Sequence, residues 1–262
     1  MSSSFWSGEF YFNGLYSEGF GGFGVCIIDF DSNELLKQVG TSINMELTEE
    51  MSFNGNRSYI EGNTTTENIV LQLCRTDGQA WDEGSILQVY DWLFQEDFKR
   101  FQTVDYSSGY NLCYYLKAVN FKKFLNNNFY GYLEIEFMSY SPYCYSIPTS
   151  NLRLSRGGSG TVNNYSNLYK PYKPKIKIKA YDGNTIKITN NTNKSFVEVR
   201  GLNSNETVIV DCSMGTVINS SGTNRFSVLQ DYNLLKLNKG NNNISLTGNA
   251  DIEFICEFPV II

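Results

Sequence analysis

The sequence contains no histidine. Imidazole is the base of Ser-His-Asp and Cys-His catalysis and a common neutral metal ligand, so those nucleophilic constellations and every imidazole-dependent metal site are excluded. The 6 cysteines, Cys26, Cys74, Cys113, Cys144, Cys212 and Cys256, include no Cys-x-x-Cys pair, which removes a four-cysteine zinc site. No uninterrupted apolar run reaches the roughly 20 residues that a bilayer-spanning helix requires. Met1 to Gly14 carries neither the basic region nor the apolar stretch of a secretory signal. An even number of widely spaced cysteines also fits the disulfides of a secreted protein. Without a signal, reduced thiols within apolar strands such as Val25-Cys26-Ile27-Ile28 are the expectation. Prolines number 5 and glycines 22, too few for collagen-like or low-complexity architecture. Positive charge is also scarce: 21 Lys+Arg against 27 Asp+Glu give a net charge of −6. Nucleic-acid binders draw most of their affinity from a basic surface, whereas an acidic protein can surround DNA without gripping it. The one basic cluster, Lys170 to Lys179, reads as a solvated strand face behind a Pro-containing connection. Sequons such as Asn205 and Asn219 arise by chance in so Asn-rich a chain.

What is present is aromatic and strand-forming. Hydrophobic residues make up 41% of 262 and aromatics 15%, with 18 Tyr and 18 Phe, side chains that pack well on a pleated surface. Glu9 to Phe12 is expected to be a short strand ended by Asn13-Gly14. Val25 to Phe30, Ile69 to Cys74, Tyr114 to Asn120 and Tyr132 to Phe137 read as further strands, the last with Leu133, Ile135 and Phe137 on one face and Glu134 and Glu136 on the other. One helix is expected over Ser85 to Phe101. Ser85 and Gln88 form its capping box, Ile86, Tyr90, Leu93, Phe94 and Phe101 its buried stripe, Trp92 lies beside the stripe, and Asp91, Glu96 and Lys99 are mostly wet. A single helix among many strands should cover an open sheet face. Residues 148–174, with Arg156-Gly157-Gly158-Ser159-Gly160 and Pro171 and Pro174, read as a linker or long loop. Beyond them, short strands over Ile176–Ile178, Thr185–Thr189, Phe196–Val199, Thr207–Asp211, Leu234–Leu237, Asn243–Leu246 and Ile252–Phe258, separated by turn signals, predict a sandwich or jelly roll. The fold class is therefore mainly β: a β-sandwich-like N-terminal domain over 1–147 with one packed helix, and a C-terminal β-sandwich or jelly roll over 175–262.

Candidate chemistry is thin. Gly19-Phe20-Gly21-Gly22-Phe23-Gly24 matches GxGxxG, but a dinucleotide site needs a helix after the glycines and a β-rich run follows instead. Tight bends or close backbone approach explain these glycines better. Glu134 and Glu136 are spaced for two-carboxylate glycoside chemistry, although an exposed strand face gives the same pattern. Tyr140, Tyr143 and Tyr145 suit either stacking on sugar rings or packing in a core or interface. No catalytic, cofactor-binding or metal-binding residue is assigned, and no enzymatic activity is expected.

The opening Phe10-Tyr11-Phe12-Asn13-Gly14-Leu15-Tyr16-Ser17, followed by a Gly-Phe-Gly cluster, resembles the start of siphophage distal tail proteins, the Dit family. The resemblance continues through Trp92-Leu93 and Gly131-Tyr132 to Ser141-Pro142-Tyr143. It extends to Pro174, Asn190, Phe196, Glu206 and Asp211, and to a closing segment at Leu235 to Leu237, Gly240, Asn243 and Ile244, with one residue inserted relative to the family pattern. Residues 148–174 are longer and richer in Gly and Ser than the family suggests. The family-like motif positions are Phe10, Phe12, Asn13, Gly14, Trp92, Pro142 and Tyr143; the interface residues themselves are not legible.

The resemblance implies a homohexameric ring at the virion tail tip, made in the host cytoplasm, with the first domain building the ring and a galectin-like second domain projecting from it. Implied partners are the tail-tube protein, a hub or tail-associated lysin-like protein, and a receptor-binding protein or host saccharide. DNA only passes through the bore, and no membrane or cofactor is involved. Exposed sheet edges of the first domain would be natural seams. A carbohydrate-binding adhesion module and a tail-tube subunit are the alternatives.

Overall fold

The structure is a computed structural model describing residues 8–28, 43–52, 55–64, 68–104, 112–126, 130–231 and 234–261. The chain divides into two units, Met1–Cys144 with Ile261–Ile262, and Tyr145–Val260.

In the first unit the strands are β1 (Phe10–Phe12), β2 (Leu15–Tyr16), β3 (Val25–Ile28), β4 (Ile43–Ser52), β5 (Gly55–Thr64) and β6 (Ile69–Arg75). Helix α1 (Glu83–Leu93) follows, then β7 (Lys99–Thr103), β8 (Leu112–Asn126) and β9 (Tyr130–Ser139). Strands β4 and β5 pair as a separate hairpin. The rest form an antiparallel sheet in the order β2-β1-β7-β8-β9-β6-β3. Its two ends meet at Ser17. The Ser17 N–H donates to the Phe10 carbonyl at 2.9 Å and its carbonyl accepts from Val25 at 2.9 Å, while the Ile27 N–H reaches the Gly8 carbonyl at 2.8 Å. The Phe10 N–H donates to Ser17 Oγ at 3.0 Å. The sheet thus curls on itself, and most of its terminal backbone groups find partners within the unit.

Alternation fills the inside of that curl: Phe10, Phe12, Val25, Leu71, Leu73, Phe101, Leu116, Leu133, Ile135 and Phe137 are buried in one cluster. The expected strands at Glu9–Phe12, Ile69–Cys74, Tyr114–Asn120 and Tyr132–Phe137 all lie within or overlap observed strands. Of Val25–Phe30, the strand covers Val25–Ile28, and Asp29 and Phe30 lie outside the described residues.

The helix differs from expectation at both ends. Its N-cap is Asp82, whose carboxylate accepts the Ser85 N–H at 2.7 Å while Ser85 Oγ accepts the Asp82 N–H at 3.1 Å. Ser85 therefore closes the capping box from the inside rather than opening one with Gln88. Arg75 fixes this start, bonding Asp82 at 3.1 Å and Asp77 at 2.6 Å. The helix ends at Leu93, and Phe101 belongs to β7, opposite Phe12 and Tyr114. The apolar spacing that looked helical beyond Leu93 belongs to a strand with one buried residue at its centre. The buried face is Ile86, Val89, Trp92 and Leu93; Tyr90, expected inside, is 44% exposed.

In the second unit the strands are β10 (Cys144–Ser146), β11 (Thr149–Ser155), β12 (Ser159–Asn164), β13 (Lys175–Ala180), β14 (Ile186–Asn190), β15 (Phe196–Val199), β16 (Thr207–Asp211), β17 (Thr216–Asn219), β18 (Gly240–Thr247), β19 (Ala250–Cys256) and β20 (Pro259–Val260), β10 starting at the dividing residue. Sheets β11-β19-β13-β16-β17 and β12-β18-β14-β15 enclose one core, with Ile176, Ile178, Val210 and Phe254 from the first and Val162, Ile188, Val199 and Ile244 from the second. Much of the stretch read as a linker is thus strand. Arg156 (φ 40°) and Gly157 (φ 78°) form a tight turn that passes the chain from β11 in one sheet to β12 in the other, so the Gly/Ser signal marks a turn rather than a tether. Conversely, Leu234–Leu237, read as a strand, has only a bridge from Leu237 to Tyr172.

The abundant asparagines explain that irregular segment. Asn190 and Asn242 are fully buried. Asn190 Nδ2 donates to the Lys236 carbonyl at 2.7 Å and to Asn242 Oδ1 at 2.9 Å; Asn242 Nδ2 donates to the carbonyls of Asn238 at 2.7 Å and Gly240 at 2.8 Å. Side-chain amides thereby satisfy backbone groups that lack a strand partner. The lysines of β13 alternate with buried Ile176, Ile178 and Ala180, and each faces a carboxylate: Lys175 bonds Asp211 at 3.5 Å, Lys177 stands opposite Glu253, and Lys179 opposite Asp251. The basic run is a matched ladder rather than an anion surface.

Two expectations follow. Asn242→Leu should lower urea-unfolding stability by about 2–3 kcal/mol because it strands buried polar groups, while Asn191→Leu on the exposed side should change it by less than about 0.5 kcal/mol. The Arg153 guanidinium holds Glu253, the Arg200 guanidinium holds Glu198 and the Tyr181 hydroxyl holds Asp251 below the ordinary carboxylate range. Folded values below unfolded ones contribute stability that is complete above roughly pH 4 and is lost as pH falls through the folded values. A melting-temperature series from pH 7 to pH 2.5 should be level down to about pH 4 and then fall, and Glu253→Gln should make that fall shallower.

Candidate assembly surfaces

The motif at the start of the chain forms an internal clamp. The Trp92 ring of α1 stacks on Phe10 at 5.4 Å and on Phe20 at 4.1 Å, and meets Phe12 edge-on at 6.4 Å. Its Nε1–H donates to the Phe12 carbonyl at 3.1 Å. Asn13 (φ 51°) and Gly14 (φ 81°) make the hairpin turn between β1 and β2, and the Asn13 N–H is held by the Arg100 carbonyl at 3.0 Å. Phe10, Phe12 and Trp92 are buried. Pro142 and Tyr143, half-buried, occupy the turn after β9, where Ser139 Oγ donates to the Ser141 carbonyl at 2.7 Å. These positions therefore carry the fold around a surface, and a different set of residues faces outward.

The glycine cluster belongs to the same clamp. Gly21 and Gly24 have φ of 60° and 65°; a Cβ on Gly21 would lie 2.4 Å from the Phe23 ring, and one on Gly24 2.1 Å from Thr76 Oγ1. The run leads into β3, not a helix, so it lacks the setting of a pyrophosphate cradle. Glu134 and Glu136 are engaged across the sheet: Lys122 bonds Glu134 at 2.8 Å, and Asn68 and Asn120 donate to Glu136 at 2.7 and 3.3 Å. The Asn68 and Asn120 amides hold the Glu136 carboxyl below its ordinary value, opposite to what a general acid requires. Among the described residues no group of His, Cys, Asp or Glu is arranged to hold a metal, and no helix is long and apolar enough to cross a membrane.

Large apolar side chains nevertheless reach the outside of the first unit. On α1, Leu87 is 61% exposed, and Tyr90 stacks on Phe94 at 4.2 Å with Phe121 edge-on to both at 6.0 and 6.1 Å. On the outer sheet face, Phe124 stacks on Tyr132 at 4.6 Å near exposed positions Val70 and Met138. Val119 is turned outward at a register shift in β8 between Ala118 and Asn120, the signature of a bulge. None of these had a signal in the sequence: Leu87, Tyr90 and Phe94 sit at spacings that a buried stripe would also show. Contiguous apolar surface of this kind is a candidate place for another protein to pack.

Comparison with known proteins accords with this. Residues 5–141 match the family described as phage tail protein N-terminal domain, and residues 143–256 the one described as phage tail C-terminal domain. Among solved structures, the chain is similar to the SPP1 Dit protein, described as a paradigm of the hub adsorption apparatus in phages infecting Gram-positive hosts. The TM-score is 0.60 at 13% identity, covering 95% of this chain and 98% of that one. It is also similar to a chain of the phage P2 baseplate in its activated conformation, with a TM-score of 0.53 at 9% identity over 91% and 92% of the two chains. Those identities establish a shared fold. Comparison with curated sequences gives no significant match. Two consecutive tail-protein matches account for nearly every residue from 5 to 256, and this chain belongs to the phage tail protein family they describe.

Proposed function

We propose that this protein is the ring-forming subunit of a phage tail tip, joining the tail tube to the central hub. The observation that carries the reading is the full-length correspondence with a hub protein: the SPP1 Dit fold is matched through 95% of this chain and 98% of that chain, so both units and their order are shared. The first unit, with its exposed apolar side chains, forms the ring. The sandwich of the second unit, whose two sheets include β11 and β12 as well as the strands after residue 175, is a galectin-like domain displayed outward toward receptor-binding proteins. The tail-tube protein and a hub or tail-associated lysin-like protein contact the two faces of the ring. The excess of acidic over basic residues suits a bore through which DNA passes without adhering.

The strip of Leu87 and Tyr90, with the half-buried Phe94 at the helix C-cap beside them, is the seam this reading favours, because it is apolar and its two exposed members are carried on the one helix of the unit. In a closed ring each copy offers this strip to a different patch of its neighbour. Light scattering behind a sizing column should give a discrete species near six times the 29.8 kDa chain. Leu87→Glu should reduce it to monomer with an unchanged far-ultraviolet spectrum. Open-ended polymers would instead identify a tube subunit. A monomer that also fails to form rings when its tube and hub partners are added would overturn the ring reading.

A further inference from the structure

Strands β3 and β6 place Cys26 directly opposite Cys74. Their neighbours Val25 and Leu73 are fully buried, so both cysteines point to the outer face of the sheet, where they are half-exposed. The N–H groups of Val25 and Ile27 are used on the other side of β3, by Ser17 and Gly8. The Cys26 backbone is therefore turned toward Cys74, as in a hydrogen-bonded antiparallel pair, whose Cα atoms stand about 5.5 Å apart. That separation lies within the roughly 4.4–6.8 Å Cα range a disulfide spans, while the wide Cβ spacing of a hydrogen-bonded pair strains the bond and makes it readily reducible. Their side chains stand side by side on the same face of the two paired strands.

We propose that Cys26 and Cys74 form a cross-strand disulfide site: a dithiol in reducing surroundings, and a covalent bond across β3 and β6 once the protein meets an oxidising low-molecular-weight disulfide. The Cys26 thiolate attacks one sulfur of the oxidant RSSR, forming a mixed disulfide and expelling one thiolate, which takes up a proton as RSH. The Cys74 thiol, losing its proton, attacks the Cys26 sulfur and expels the second RSH. Two protein thiols are oxidised and one RSSR is reduced to two RSH.

The site is selective within the chain. The hydrogen bond from Cys74 holds the Cys26 thiol down at about 7, so the attacking thiolate is abundant at neutral pH. Burial pushes Cys144, Cys212 and Cys256 up to about 12, and Cys113 is fully enclosed. The sequence reading of thiols buried in strands holds for Cys113, Cys144 and Cys256; Cys212 is buried in the turn after β16, and strand alternation sends Cys26 and Cys74 outward. The segment between them carries the β4–β5 hairpin, which pairs apart from the main sheet, so the bond would tie its two flanking strands together at the sheet.

The test is thiol counting in denaturant and unreduced peptide mapping of the full chain after incubation with oxidised glutathione. The expected result is a fall from 6 free thiols to four, a peptide linking Cys26 to Cys74, and a dithiothreitol-reversible rise in melting temperature of roughly 5–10 °C. Cys74→Ser and Cys26→Ser should each stop at a glutathione adduct on the cysteine that remains. A full complement of free thiols, a lasting glutathione adduct on the unmodified chain, or a bond joining any other pair would overturn the assignment.

Discussion

The first unit hangs on the indole of Trp92. One ring of α1 touches Phe10 and Phe12 of the first strand and Phe20 of the glycine-rich turn, and its N–H caps the Phe12 carbonyl. Ile86, Val89 and Leu93 bury the helix in the same core, and the indole adds the contacts that align it with the hairpin and with Phe20 of the turn. A large, flat side chain with one donor suits this place: its faces serve two aromatic neighbours while the donor satisfies a carbonyl that would otherwise be stranded in the interior. Aromatic stacking and a buried hydrogen bond act on the same residue, so the hairpin, turn and helix are positioned together.

The second unit solves a different problem. Its two sheets are conventional alternating strands, legible at once in Lys175-Ile176-Lys177-Ile178-Lys179. The segment before β18, however, runs under the sandwich without a strand partner, and Leu234, Leu235 and Leu237 are buried there. Water is excluded from that path, so its carbonyls need internal donors. Asn190, Asn193 and Asn242 provide them. The asparagine bias, which looked like mere composition, is what allows an irregular segment to be interior.

The strands were legible wherever apolar and polar residues alternated cleanly, as in Leu133, Ile135 and Phe137. The failures had physical causes. Period-3.6 and period-2 patterns coincide over short stretches, so Phe101 could be read as the end of a helix when it is the centre of a strand. Glycine-rich sequence signals a conformation, not a length, so Arg156-Gly157 looked like part of a tether when it is a turn between strands of the two sheets. The candidate surface was the least legible part. Leu87 and Tyr90 differ from core residues only in which side of the helix the rest of the chain covers. The bulge that turns Val119 outward leaves no mark in the sequence.

The closure at Ser17 also dictates an order of synthesis. Although Ser17 joins residues near the beginning of the chain, the strands between the two meeting ends run through β7, β8 and β9 before returning by β6 to β3. The pairing of Ile69 with Phe137 cannot form until the whole of β9 has left the ribosome. Until then the early strands lack the neighbours that hold them in line, while the β4–β5 hairpin needs only its own turn. A nascent chain of this protein must therefore wait for β9 before β6 and β3 take their place in the sheet.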